Sequence, residues 1–335
     1  MLNLLNIVQK IKKYLRIVLF IFFSVFLRWP VWLLLFLLKP FHLFGFIFVV
    51  YPGSDRDLEP YCPKKIAKSW LFSGKPVIGG FVTKGQSKSR GLVLVIPDTI
   101  QELRGDLKRC QKIIKRIKLI KYLSGAKTIA LAGQLPGVFV KNGIELDYPF
   151  VKGALGTVFC VLDTVELAIK NLKITKQKIN IAQIGVGFVG GLLLDSLKGS
   201  GYQATGIDIV VKEGETVLAS NSREILEKAD VIIVLTPRGS DFNPYAKWIK
   251  KGAVVIDDTH PKIEVKPDNV LFYKVAVGLP GVKFVPALSG YKKDWIPGCA
   301  VEGCIASIYG DSSKLNISQF YELAKKEGFF AHAIN

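Results

Sequence analysis

The sequence predicts an α/β protein. Its main domain is expected to be a doubly wound parallel sheet, joined to a smaller α/β domain and to an N-terminal hydrophobic membrane segment. Three observations predict it. Short apolar runs alternate with helical patterns from about residue 91 to about residue 275, as parallel strands with crossover helices require. One of those runs enters a glycine-rich turn, and the next ends on an acid. The first 51 residues stand apart, because nearly every residue from Ile17 to Tyr51 is apolar.

That run exceeds the roughly 20 residues needed to cross a bilayer. Arg28, Lys39 and His42 interrupt it, and Pro30 and Pro40 break its helices. A charge at mid-bilayer costs at least ~2.5–3.5 kcal/mol. Residues 1–51 are therefore expected to form a bent or re-entrant membrane hairpin, with Arg28 and Lys39 reaching an interface. The alternative is a buried hydrophobic hairpin. Lys10, Lys12, Lys13 and Arg16 precede the run, and Lys64, Lys65 and Lys68 follow it. Positive charge on both flanks predicts a membrane-associated protein whose later domains face the cytoplasm.

Residues 52–175 read as the smaller, substrate-binding α/β domain. Gly91–Ile96 is a buried strand, and Thr99–Leu123 reads as one helix. Leu103, Leu107, Cys110, Ile114, Ile117 and Ile120 form its apolar stripe. Its other face carries Arg104, Lys108, Arg109, Lys112, Lys115, Arg116, Lys118 and Lys121, in a chain of net charge +19. Such a face suits solvent, an anionic membrane surface or an acidic protein. No nucleic-acid recognition motif accompanies it. Lys127–Ala132 is a further strand, Gly133–Gly137 a loop and Thr157–Leu172 a helix, and the polar stretch Thr175–Lys178 marks a boundary.

Residues 176–290 carry the nucleotide pattern. The strand Ile179–Ile184 runs into Gly185-Val186-Gly187-Phe188-Val189-Gly190-Gly191, and a helix follows at Leu192–Leu197. Gly185 permits the tight turn, Gly187 lets a pyrophosphate reach the backbone, and Gly190 lets helix and strand pack closely. A second strand, Gln203–Ile207, ends at Asp208, about 20 residues beyond Gly185, where an acid holds the adenosine ribose. That acid repels a 2′-phosphate. NAD is expected, and NADP is the alternative, with Lys212 softening the preference. Ala229–Leu235 leads to Thr236-Pro237, where a loop passes the cofactor. Ala253–Ile256 and Val270–Val275 complete a Rossmann sheet. The expected cofactor contacts are Gly185, Gly187, Phe188, Val189, Gly190, Asp208, Thr236 and Pro237.

Residues 291–335 read as a C-terminal helical segment that packs back on the substrate domain. Pro297-Gly298 is a helix entry turn before Cys299, and Ala300–Tyr309 is helical. A thiol at a helix N-terminus is expected to have its thiolate stabilised. Cys62, Cys110, Cys160, Cys299 and Cys304 form no C-x-x-C pair and no Cys/His ligand spacing, so no metal is expected and the thiols read as free.

From about Lys127 to the end, the chain resembles the long-chain acyl-[acyl-carrier-protein] reductases, a fatty aldehyde-forming family. Phe150-Val-Lys152-Gly153-Ala-Leu-Gly-Thr157, leading to Val165-Glu166, is similar to the family's F-T-T-G-x-x-x-T segment ending in V-E. Val255-Ile-Asp257 with Pro261-Lys262 resembles I-D-x-x-x-P-K, Cys299-Ala-Val-Glu302 resembles C-F-A-E, and Lys326-Glu-Gly328-Phe329 resembles the H-G-F close. Lys152 stands at a family threonine, His260 at a tyrosine, and Asp208 where the family suits NADPH.

The resemblance implies that Cys299 carries an acyl group, with Cys304 the second choice. It implies a long-chain acyl-carrier protein or acyl-coenzyme A as donor, hydride from a nicotinamide cofactor and a fatty aldehyde as product. Glu302, at i+3 from Cys299, is expected to orient Lys152 or His260. Two other functions compete: a dehydrogenase of a small carbonyl or hydroxy acid with Lys152 or His260 as proton donor, and a non-catalytic membrane-tethered NAD-binding regulator. The sequence does not set the oligomeric state.

Overall fold

The apolar runs become two six-stranded sheets. This computed structural model describes residues 28–53, 58, 64–69, 72–83, 90–172, 175–210 and 216–332, with scattered positions between 11 and 26. The first sheet holds β1 (Phe46–Val50), β2 (Val77–Val82), β3 (Gly91–Val95), β4 (Thr128–Leu131) and β5 (Phe150–Val151). With β13 (Phe284–Val285) it has the order β13-β2-β3-β1-β4-β5. β3, β1, β4 and β5 run parallel, whereas β2 is antiparallel to β3 and β13 antiparallel to β2.

The second sheet is wholly parallel. It consists of β6 (Asn180–Ile184), β7 (Gln203–Asp208), β8 (Thr216–Leu218), β9 (Val231–Val234), β10 (Val254–Asp257) and β11 (Leu271–Lys274), in the order β11-β10-β9-β6-β7-β8. β7 and β8 lie on one side of β6, and β9, β10 and β11 on the other, as in the doubly wound Rossmann arrangement. The strand sequence reverses between β6 and β9, where ligands of such sheets bind. β12 (Val277–Gly278) and β14 (Phe330–Ala331) form a small antiparallel pair.

Helices cover the sheets as their apolar stripes demand. One face of the first sheet buries Ile47, Val49, Leu92 and Leu94 against Cys110, Ile113, Ile117 and Ile120 of α4 (Leu107–Ser124). The other face packs on α6 (Ala154–Leu172) and α9 (Gly298–Tyr309). α6 lies between the two sheets and also touches α7 (Phe188–Gly199) and α10 (Ile317–Lys326). Shorter helices, α2 (Lys64–Ala67), α5 (Leu135–Lys141) and α8 (Arg223–Lys228), lie in the connections. The helix expected over Thr99–Leu123 is two. α3 (Ile100–Leu103) starts with a Thr99–Glu102 capping box, Gly105 turns the chain at φ +76°, and Asp106 then caps α4 by accepting from Arg109 N at 2.9 Å. The apolar stripe runs across this break, which is why periodicity joined the two.

The N-terminal expectation is corrected in part. Phe41–Tyr51, read as a membrane piece, contains β1, a central strand of the first sheet, paired with β3 and β4. A strand buried on both faces must be continuously apolar, so composition could not separate it from a membrane piece. The boundary at residue 51 therefore moves, since the domain built on the first sheet includes β1. α1 (Arg28–Leu38) packs against α4. Among the described residues, no helix is long and apolar enough to cross a membrane. Most of the first half of the hairpin and its flanking cations Lys10, Lys12, Lys13 and Arg16 lie outside the described residues.

Phe46, Ile47, Phe48 and Val49 are all buried, none more than 2% exposed. Each fully buried side chain of this size contributes roughly 1.5–3 kcal/mol. A chain that begins at Pro52 loses them together with both ladders of β1. It should lose cooperative urea unfolding, whereas a chain that begins at Phe44 should keep it. A cooperative transition in the shorter chain would disprove the central role of β1.

Candidate functional site

The glycine turn joins β6 to α7 at the strand-order reversal. Gly185 takes φ +96°, and a Cβ there would meet the Leu235 carbonyl at 3.0 Å. A Cβ on Gly190 would lie 2.3 Å from the Gly185 oxygen, so the turn and helix can only close on glycine. Gln183 Nε2 ties them together by donating to Gly185 O at 3.1 Å and Gly190 O at 2.7 Å. At Gly187 a Cβ would meet nothing within 4 Å, and no side chain caps α7 there. The open backbone and uncapped N–H groups fit a pyrophosphate.

Asp208 accepts from Val186 N at 2.6 Å and Ile209 N at 2.7 Å, which places a carboxylate at the lip of the same turn. Phe188 is exposed, Val189 half-buried, Thr236 Oγ1 donates to Arg238 O, and Pro237 is exposed. All the expected cofactor residues thus gather at the carboxyl edge of β6, β7 and β9, and the residues present fit a dinucleotide. Lys212 lies outside the described residues.

Cys299 stands in a cavity of about 250 Å³. The cavity opens along the carboxyl ends of β1, β3, β4 and β10, where Tyr51, Pro97, Gly133 and Asp258 follow their strands. Phe48, Val50, Leu58, Phe72, Val95 and Leu288 make most of its wall apolar. His260, Tyr291 and Thr157 also line it. Asp257 locks the loop that carries Asp258 and His260. It accepts from Thr259 N at 2.7 Å, Thr259 Oγ1 at 2.6 Å and Ile263 N at 3.0 Å.

The expected thiolate is corrected. Burial pushes the Cys299 thiol up to about 12, and the Asp258 charge adds to this. The backbone N–H groups of Gly133, Cys299 and Ala300 pull the other way and do not win. Burial pushes Asp258 up to about 7, with Lys274 opposing and Asp257 reinforcing the shift. Burial and the charges of Asp258 and Cys299 also raise Tyr291.

Glu302 has a different role from the one expected. Its carboxylate is buried, accepts from Gly156 N at 3.2 Å and Ser312 Oγ at 3.0 Å, and is raised by burial. It caps the start of α6 and orients neither Lys152 nor His260. Lys152 is exposed on the β5–α6 loop and does not line the cavity; Cys304 is buried one turn along α9. Cys110, Cys160, Cys299 and Cys304 are free, and Cys62 lies outside the described residues. Sequence reasoning passed over Asp258, Tyr291 and Tyr51. The Asp257-Asp258 pair at a strand's carboxyl end was a readable signal for the first; the tyrosines carried none.

No known family profile matches the chain, and no curated protein sequence does. Among solved structures, the Entamoeba histolytica malic enzyme is 12% identical with a TM-score of 0.46, covering 87% of this chain and 75% of that one. The L-tryptophan dehydrogenase of Nostoc punctiforme is 12% identical with a TM-score of 0.44, covering 84% and 80%. A dipicolinate synthase chain from Bacillus halodurans is 16% identical with a TM-score of 0.32 over 47% of this chain, and less than two thirds of that protein (61%) is matched. These likenesses are too distant to transfer an activity, so the assignment has to come from the site's own residues.

Asp258 yields a pH dependence. Its carboxyl, raised above an unfolded value near 4, makes the native state hold a proton that the unfolded chain releases. That contribution is fully present below about pH 4 and is lost as pH rises through about 7. Asp258→Asn should therefore gain stability over the wild type above pH 7, by an order of a few kcal/mol at most in urea titrations. It should also speed alkylation of Cys299 by iodoacetamide, read by mass spectrometry. An unchanged pH slope and alkylation rate would remove Asp258 from the cavity's electrostatics.

Proposed function

We propose that the protein is an NAD(P)H-dependent oxidoreductase that reduces long-chain acyl thioesters to fatty aldehydes through an acyl-Cys299 intermediate. The observation that carries this reading is a single thiol at a helix N-terminus in the wall of an apolar cavity, which opens at the carboxyl ends of β1, β3, β4 and β10 and is not lined by the nucleotide-turn residues. An aliphatic chain suits that wall, and a thioester carbonyl suits the polar end formed by Gly133, Asp258, His260 and Cys299. The resemblance of the Cys299–Glu302 and Phe150–Thr157 segments to the aldehyde-forming reductases supports the same chemistry.

In this reading, Asp258 or His260 takes the thiol proton, and Sγ attacks the thioester carbonyl carbon. The N–H groups of Gly133 and Ala300, which favour negative charge at this point, stabilise the oxyanion. The donor's C–S bond breaks, and its thiol leaves with the proton taken from Cys299. A reduced nicotinamide supplies hydride when bound. Its hydride would reduce the acyl carbon, and the aldehyde would depart as the bond to Sγ breaks, leaving Cys299 as the thiolate for the same proton carrier to reprotonate. Asp258, held near neutrality, is suited to pass a proton in both directions. Asp208 at the lip of the turn favours NADH over NADPH.

His260 in the cavity wall supports a second reading, proton donation to a small carbonyl. The two readings separate at the thiol. With full-length protein, NADH and palmitoyl thioesters, Cys299→Ser should lose the covalent acyl adduct and roughly 10³-fold or more of aldehyde formation. Its cofactor affinity should stay within about twofold. Cys304→Ser should keep all three. Full activity in Cys299→Ser, or an adduct on Cys304, would refute the assignment.

The ribose contact has its own test. Asp208→Ala should weaken NADH binding while improving the relative affinity for NADPH, measured by fluorescence titration of the purified protein. A wild type that already binds NADPH more tightly would show that a cation overrides Asp208.

A further inference from the structure

Two arginines meet in the seam between α1 and α4 with no counter-charge among the described residues. Arg28 Nη2 and Arg116 Nη1 are each buried there without a hydrogen-bond partner. Burial and the Arg116 charge both lower Arg28, and burial lowers Arg116. Lys75 and Lys112 join the cluster, since Arg116, Lys112 and Arg28 all act on Lys75. The Gly74 backbone stands over Lys112, where a Cβ would lie 3.4 Å from Cδ. Asp98, on a neighbouring turn, already holds Gly74 N at 2.9 Å and Arg109 Nη1 at 3.3 Å. The Arg28 guanidinium stacks on the Trp32 ring at 4.7 Å, but a buried charged donor without a hydrogen bond is still costly, and a phosphate matches the guanidinium fork.

The surroundings indicate which phosphate. α1 leaves Trp29, Leu33, Leu34, Phe36 and Leu37 exposed, and Phe22 and Phe26 before it are exposed too. Exposed apolar side chains beside a cationic cluster suit the surface of an anionic bilayer. Beneath α1, α4 presents Lys108, Lys112, Lys115 and Lys118 to solvent. Ile21 packs on Leu58 and Phe72, which also line the Cys299 cavity.

We propose that Arg28, Lys112 and Arg116 form a headgroup site for an anionic phospholipid, with the exposed side of α1 seated in the bilayer surface. The site needs no assumption about the reaction, so it stands or falls apart from the thioester reading.

The test is flotation of the full-length protein with vesicles of phosphatidylglycerol and phosphatidylcholine, against pure phosphatidylcholine, at about 0.15 M salt. Partition should be at least tenfold greater on the anionic vesicles. R28Q/R116Q should lose most of that preference, whereas K115Q/K118Q, which removes the same amount of charge, should lose much less. L33S/L37S changes only exposed side chains and should lose binding to both vesicles, with NADH affinity and melting temperature unchanged. R28K/R116K, which keeps the charge, should melt like the wild type and recover only part of the preference.

Several results would overturn the proposal: equal binding to both vesicle types, no binding, or equal losses in R28Q/R116Q and K115Q/K118Q. Stabilisation by millimolar inorganic phosphate that R28Q/R116Q abolishes, without vesicle binding, would make the cluster a free-anion site. Binding of an acidic carrier protein in place of vesicles would make it a protein-docking face.

Discussion

The site depends on one close helix crossing. A Cβ on Gly156 would sit 2.0 Å from Gly298 O, and one on Gly298 would sit 2.5 Å from Thr157 Cα. α6 and α9 therefore touch backbone to backbone at their N-terminal ends. The same contact brings Cys299 against Gly153, whose own Cβ would lie 2.6 Å from Cys299 Cβ. Glu302 completes the joint by reaching from α9 to the uncapped N–H groups at the start of α6. Gly303 continues the approach on the sheet side, with Thr128 Oγ1 donating to its carbonyl at 3.0 Å and Ala130 too near to admit a Cβ. The glycines and the buried acid of these segments are a single construction. It presents one sulfur atom at the carboxyl edge of the first sheet.

That sulfur lies between opposing influences. A helix N-terminus and the Gly133 N–H favour a thiolate; burial and Asp258 oppose it more strongly. The balance favours the protonated thiol over the thiolate, which is the reactive form. It also couples the thiol to its neighbour. Protonating Asp258 removes one of the two influences that raise Cys299. Tyr291 is raised by the same charges and stays a neutral hydroxyl beside them.

The second sheet was largely legible in the sequence, and the first only in β3 and β4, which Gly91–Ile96 and Lys127–Ala132 announced. β6, β7, β9, β10 and β11 were readable because each is a short apolar run closed by a turn residue, and because the Gly185–Gly190 spacing has one steric explanation. β1 was not, since a doubly buried parallel strand and a membrane piece obey the same composition rule. What separates them is Lys39-Pro40, where the chain leaves α1 through a short 3-10 turn and Lys39 folds over the Tyr122 ring at 3.8 Å. The β2 and β13 strands escaped because Gly79, Gly80 and a two-residue edge strand carry almost no periodic signal. In the site, Cys299 was legible from Pro297-Gly298, whereas the role of Glu302 was not. Its i+3 spacing from Cys299 fixed a shared helix face, but the partner on that face turned out to be the N-terminus of another helix.

The two sheets could in principle move against each other, as the halves of two-domain enzymes often do. Their packing argues otherwise here. One continuous apolar cluster runs from Phe48 and Val93 of the first sheet, through Phe159, Val161 and Val165 of α6, to Ile181, Val231 and Ile256 of the second. Both faces of α6 are consumed in this way. Asp163, midway along it, anchors the C-terminal segment by accepting from Lys325 Nζ at 2.8 Å, Tyr321 Oη at 2.9 Å and Ala331 N at 2.6 Å. Any rotation between the sheets would have to break that cluster and expose the carboxylate. The distance from Cys299 to the edge of β10 is thus set by core packing rather than by a hinge. A reaction joining a group on Cys299 to one held on the other sheet would need both within about 0.5 Å of the productive geometry. A core shared by both sheets is the simplest way for one chain to meet that tolerance.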